Sequence, residues 1–156
     1  MSLKKLGFVG LGLMGKGMVK NLATKIGSPM IIWNRSPEVC QEIKAEFGDL
    51  ITIANSAADV VRESTITYCM LSTEEASIAV FDEEATGVIA GVSAGKIIVD
   101  CATLSRERMV DEDARIRAKG GLFLEAPVRA LSFFLVKSSQ VVLEIFALPL
   151  YYFFPS

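Results

Sequence analysis

A doubly wound parallel α/β sheet is the fold class this sequence predicts, on three observations. Apolar runs of four to six residues alternate with segments of helical periodicity across residues 6–126. The first run leads directly into Gly10-Leu11-Gly12-Leu13-Met14-Gly15, a G-x-G-x-x-G pattern opening a helix. The run Met30-Ile31-Ile32-Trp33 is apolar throughout, as a strand covered on both faces must be.

Taken in order, 6–9 is a buried strand, and Met14, Met18, Val19 and Leu22 then recur at helical spacing until Gly27-Ser28-Pro29 stops the helix. Residues 30–33 form the second strand, ending at Asn34-Arg35-Ser36-Pro37. Ser36 is placed as an N-cap with Pro37 at the first helical position, followed by Cys40, Ile43 and Phe47 on one face and Gly48 as the stop. A third strand is expected at 50–53 and a helix opened by Ser56-Ala57-Ala58-Asp59. The fourth strand is expected at 66–71, short helices at 74–81 and 87–92, and the fifth strand at 96–100. A long charged helix from Ser105 carries Met109, Val110, Ala114 and Ile116, before Gly120-Gly121 and a sixth strand at 122–126. This order predicts about six strands with right-handed crossovers, a Rossmann sheet.

Composition limits the rest. With 156 residues and 51% hydrophobic content the chain can bury one good core. Sixteen basic residues against 18 acidic, a formal net charge of −2, give no field that would draw nucleic acid. No histidine is present, which removes Ser-His-Asp and His-metal chemistry. Cys40, Cys69 and Cys101 are widely spaced, so no zinc or other metal site and no disulfide framework is expected, and reduced thiols in the cytoplasm fit best. Residues 1–5 are too few for a signal peptide, although an organelle address outside this sequence stays open. Residues 1–128 are expected to form one dinucleotide-binding domain. Residues 129–156 hold five of the nine phenylalanines, follow no clean period and reach no membrane-span length, so they are expected to be an atypical apolar tail.

The glycine pattern has a specific ligand. Gly10 turns the chain out of the strand, Gly12 admits a ligand close to the backbone, and Gly15 lets the helix approach the sheet. The unpaired N–H groups at the start of that helix suit a pyrophosphate. About twenty residues on, at the tip of the second strand, an NAD site usually offers an acid to the ribose 2′-hydroxyl. Asn34-Arg35-Ser36 stands there instead, and a guanidinium with a hydroxyl suits the 2′-phosphate of NADP. The alternative is that Arg35 is a solvated turn residue and Ser36 only a cap. Ser72 and Thr103 lie just past the fourth and fifth strands, where open α/β sheets bind ligands, or else serve as ordinary turn residues. Glu125 reads as structural, and Cys69 and Cys101 as small buried hydrophobes.

These residues resemble a known family. The stretch from Gly7 to Gly15, with Asn21-Leu22, Trp33-Asn34-Arg35-Ser36, Met70-Leu71-Ser72, Gly95-Lys96, Val99-Asp100, Thr103 and Phe123-Leu124-Glu125-Ala126-Pro127-Val128, is similar to the β-hydroxyacid dehydrogenases, and within them to the glyoxylate and succinic semialdehyde reductases. The resemblance runs from residue 6 to residue 128. It implies an NADP-binding domain of 6-phosphogluconate dehydrogenase type, followed in the family by an all-helical domain, and NADPH-dependent reduction of a small aldehyde or keto acid. The cofactor contacts it implies are Gly10, Leu11, Gly12, Leu13, Met14, Gly15, Asn34, Arg35, Ser36, Leu71, Ser72 and Thr103, with Ala102 replacing a usual serine.

After Val128 the family pattern continues with Ser-Gly and a small residue, whereas this sequence has Arg129-Ala130-Leu131. The family's helical domain and its proton-donating lysine have no counterpart, and Lys137 has no motif around it. The expectation is therefore a truncated member that binds the dinucleotide and meets a carbonyl acid only if a complete active site is supplied. The alternative is a non-enzymatic NADPH-binding or interaction module whose apolar tail docks on a partner or membrane surface. Neither reading fixes an oligomeric state.

Overall fold

The computed structural model describes residues 5–128. Strands β1 (Leu6–Val9), β2 (Met30–Trp33), β3 (Ile51–Ile53), β4 (Ile66–Cys69), β5 (Ile97–Asp100) and β6 (Leu122–Glu125) form one sheet. They are ordered β3-β2-β1-β4-β5-β6, and every pairing is parallel. The chain moves outward from β1 to one edge and returns to fill the other, so the carboxyl ends of β1 and β4 flank the point where the winding reverses.

Between the strands run α1 (Leu13–Ile26), α2 (Pro37–Phe47), α3 (Ala57–Glu63), α4 (Glu74–Phe81), α5 (Val88–Gly91) and α6 (Arg106–Ala118), with a 3-10 turn at Gly48–Leu50. Period-two alternation sends successive residues of each strand to different layers. Phe8, Ile32, Tyr68 and Val99 pack with Met18, Val19 and Leu22 of α1 and Ile43 of α2 on one face. Val9, Ile31, Cys69 and Ile98 pack with Val60 and Val61 of α3, Phe81 of α4 and Met109 and Ile116 of α6 on the other. Both faces of β1 are thus covered, which is why its four residues are all buried.

Several expected boundaries move by one or two residues. The fourth strand ends at Cys69, so Met70 and Leu71 belong to the loop, and β3 starts at Ile51 because 48–50 forms the 3-10 turn. Ser56 and Ser105 cap α3 and α6 through their side chains, accepting from Asp59 N and Arg108 N. Ser36 occupies the N-cap position of α2, but its hydroxyl makes no capping hydrogen bond.

In α6 the buried face is not the apolar one alone. Val110 is 60% exposed and Ala114 is also exposed, while Arg108 and Glu112 join Met109 and Ile116 on the inner face. Charge complementarity explains this. Arg108 Nε lies 2.8 Å from Glu112 Oε1, and its terminal nitrogens donate to both carboxylate oxygens of Asp82 at 3.0 Å. The guanidinium also sits 5.8 Å from the centre of the Phe81 ring. The segment 129–156 lies outside the described residues.

Candidate dinucleotide site

Gly10 follows β1 with φ +92°, a conformation that L side chains rarely adopt, and a Cβ there would strike Met70 O. Its N–H donates to Trp33 O at 3.1 Å, while Met70 N donates to Val9 O at 2.9 Å, so the ends of β1, β2 and β4 are fastened together. A Cβ on Gly15 would collide with Gly10 O and lie 3.2 Å from Phe8 Cε1. Only a residue without a side chain lets α1 begin this close to the strand. Gly12 is different, since a Cβ there would meet nothing within 4 Å. It faces open space at the mouth of α1.

That space is a cavity of about 420 Å³ lined by Gly10, Leu11, Gly12, Leu13, Met14, Gly15, Trp33, Asn34, Arg35, Ser36, Val39, Met70, Leu71, Ser72, Ala76 and Val80. Eleven of the twelve expected contacts therefore share one cavity. Thr103 is not among its lining. It stands exposed beyond the end of β5, one strand further along the same edge of the sheet.

The local electrostatics favour an anion. The first N–H groups of α1 have no acceptor within the helix, and its first turn contains no acid. Arg35 is the one charged residue of the lining, is exposed, and forms no ion pair among the described residues. Asn34 holds the two halves of this surface together. Its Oδ1 accepts from Leu11 N at 2.9 Å, inside the glycine loop, and its Nδ2 donates to Ser36 O at 3.1 Å. The side chain is thus committed to the protein's own backbone.

Trp33, Val39, Met70, Ala76 and Val80 line the cavity without having been expected there. Trp33 adjoins Asn34, and Val39 lies one helical turn beyond Ser36, so local spacing carried a weak signal for both. Ala76 and Val80 form an i, i+4 pair on α4, and only the packing of that helix beside β4 brings them here. All three cysteines are free thiols and buried. Burial pushes Cys69 and Cys101 well above the ordinary thiol range, with the nearby Asp100 adding to it.

Comparison with known proteins agrees with this geometry. Residues 5–130 match the NAD binding domain of 6-phosphogluconate dehydrogenase. The Xenopus tropicalis protein "Cytokine-like nuclear factor N-PAC" is 38% identical over 126 residues, covering 80% of this chain and 22% of that protein. Arabidopsis thaliana glyoxylate/succinic semialdehyde reductase 1 is 36% identical over 124 residues, covering 80% of this chain and 41% of the reductase. The chain thus spans well under half the length of either relative. Among solved structures, Mycobacterium tuberculosis 3-hydroxyisobutyrate dehydrogenase superimposes with a TM-score of 0.70 at 26% identity, over 82% of this chain and 41% of that one. With its glycine loop, parallel sheet and matched residues 5–130, the chain belongs to the family of the NAD-binding domain of 6-phosphogluconate dehydrogenase.

Proposed function

We propose that the cavity binds NADP(H) in preference to NAD(H), and that the chain is the cofactor half of a reductase acting on a small aldehyde or keto acid such as glyoxylate or succinic semialdehyde. One observation carries the cofactor reading: the glycine loop and Asn34-Arg35-Ser36 line a single cavity whose only charge among the described residues is Arg35. A 2′-phosphate there would meet a guanidinium and a hydroxyl that caps nothing. The N–H groups of the first turn of α1 would receive the pyrophosphate. Leu71 and Ser72, and then Thr103, mark the course toward the nicotinamide along the strand ends. When bound, the cofactor supplies hydride, while the protein's part is to hold and orient it.

Fluorescence titration of the 156-residue chain tests this. NADPH is expected to bind about tenfold or more tightly than NADH, the worth of one charge-assisted contact at a partly exposed site. Arg35→Ala should bring the two within a few-fold. Equal affinities in the parent chain would refute the assignment.

A polypeptide of these residues is proposed to bind without turnover, because no lysine stands in a family context to protonate the carbonyl oxygen and Arg129-Ala130-Leu131 replaces the substrate motif. NADPH oxidation by the pure chain in the presence of glyoxylate would overturn that. The non-enzymatic reading is favoured by the name of the 38% identical relative, a nuclear factor. If it holds, NADPH binds, neither carbonyl acid is reduced, and removal of 129–156 abolishes association with a partner or a membrane. A reducing, cytosolic setting fits three free, buried cysteines, and no helix among the described residues is long and apolar enough to cross a membrane.

A further inference from the structure

Two carboxyl groups meet in the interior where β5 packs against α6. Asp100 and Glu112 are both fully buried. Asp100 Oδ1 accepts from Ala102 N at 2.9 Å. Glu112 Oε1 accepts from Ser77 Oγ at 2.5 Å and pairs with Arg108 Nε at 2.8 Å. The remaining oxygens, Asp100 Oδ2 and Glu112 Oε2, are buried with no donor among the described residues, and Glu112 acts on Asp100 through charge and a side-chain hydrogen bond. Two buried carboxylates cannot face one another in this way; one must supply a hydrogen. Glu112 has a guanidinium and a hydroxyl to stabilise its negative charge, whereas Asp100 has a single backbone N–H.

We infer that Asp100 is a positioning residue held as the neutral acid, donating its proton to Glu112 and so fastening the β5–α6 turn that carries Thr103 to the buried ion-pair cluster of α6. Asp100 then acts in two directions, through Oδ1 on Ala102 and through Oδ2–H on Glu112. Ser105 N, which donates to Glu74 Oε2 at 3.3 Å, secures the far side of the same turn.

The neighbourhood contains little that would compete for this proton. From α6 Glu112 and Arg108 act on the group; Glu112 is in turn bound by Ser77 of α4, and Arg108 by Asp82 at the end of α4 and by Asp111. Cys69 of β4 is its register partner on one side and Glu125 of β6, which is exposed, on the other; Cys101 follows it in sequence. Desolvation raises Asp100 to about 8, the Ala102 N–H opposes the rise, and Glu112 reinforces it.

The part concerning Thr103 rests on the cofactor reading above, so the experiment separates the two. Carbon-13 NMR of the aspartate carboxyls in the full chain, with Asp100 assigned by its loss in Asp100→Asn, is expected to show Asp100 titrating far above the other aspartates. An Asp100 resonance that titrates with ordinary carboxyls would overturn the inference. Asp100→Asn keeps both contacts, since its amide nitrogen donates to Glu112 and its oxygen accepts from Ala102. It should fold, and it should remove a rise in the parent's unfolding equilibrium constant of up to tenfold per pH unit between about pH 4 and about pH 8. An unchanged slope in the variant would refute the shared proton.

Glu112→Gln, able to donate to Asp100, should bring the Asp100 titration down, and no movement would count against Glu112 as the acceptor. With cofactor, the parent should lose NADPH affinity severalfold between pH 7 and pH 9.5 while Asp100→Asn retains it; an equal loss in both would overturn the positioning role. No binding of NADPH at pH 7 would sink the cofactor reading and leave the carboxyl titration to decide the acid pair.

Discussion

Asn34 stands where a dinucleotide site often places its selecting acid, yet its amide is occupied on both sides by backbone, Leu11 N and Ser36 O. Arg35 and Ser36 bear the selectivity in the proposed reading, and Asn34 bears the shape. The two roles separate experimentally. Asn34→Ala should weaken NADPH and NADH by similar factors, about fivefold to tenfold for one lost neutral hydrogen bond in the loop, where Arg35→Ala affects chiefly NADPH. Titration of both cofactors against both variants checks this, and a loss confined to NADPH in Asn34→Ala would move Asn34 into the phosphate contact. Arg35 was legible in the sequence because its meaning rests on residue type at the tip of one strand. The commitment of Asn34 to Leu11 was not, since 23 residues separate the two and only strand pairing brings them together.

Among the elements, α1 and α6 show opposite kinds of legibility. The start of α1 is written in Gly10, Gly12 and Gly15, each required by a local contact or opening. Gly15→Ala should destabilise the chain by about 1–3 kcal/mol or more, as overpacking against backbone does, measured by urea unfolding; an unchanged midpoint would contradict the close approach. Helix α6 misleads because Arg108 and Glu112 look like members of a solvated face. Besides pairing with each other they bind Ser77 of α4 and Asp82 at its end, Ser77 lying 35 residues before Glu112, and no helical period reports such contacts. Arg108→Leu leaves Glu112 buried without its cation and is expected to cost about 3–5 kcal/mol, whereas Arg108→Leu with Glu112→Leu should cost less, because no unpaired charge of this pair stays buried. Comparable destabilisation by the single and double variants would show that the ion pair contributes by packing alone.

At the scale of the molecule, the strand order follows from the alternation of elements, and the sequence reading anticipated all six strands with only their ends displaced. Those ends are set by hydrogen bonds between a loop and a strand end, such as Met70 N to Val9 O, which residue preference does not encode. Stability should also respond to acid through the surface side of the same α4–α6 seam. Burial alone would raise Asp82, but the hydrogen bonds and charges of Arg108 and Arg115 outweigh it and hold the carboxyl below its usual range. Its contribution is therefore present above the unfolded value near 3.8 and is lost as pH falls through the lower folded one. Urea midpoints across pH 2–5 are expected to drop more steeply in the parent than in Asp82→Asn, and parallel curves would exclude this source of acid sensitivity.

The double tether of Asn34 also constrains any exchange of cofactor preference. An aspartate at 34 would supply the acid that a ribose hydroxyl favours and would still accept from Leu11 N, but it cannot donate to Ser36 O and would set a negative charge against that carbonyl. The single substitution that best rewrites the recognition chemistry is thus the one that unfastens the loop presenting it. A switch to NADH would need a second change near Ser36 to restore the lost fastening, so intermediates along that path would bind either dinucleotide poorly.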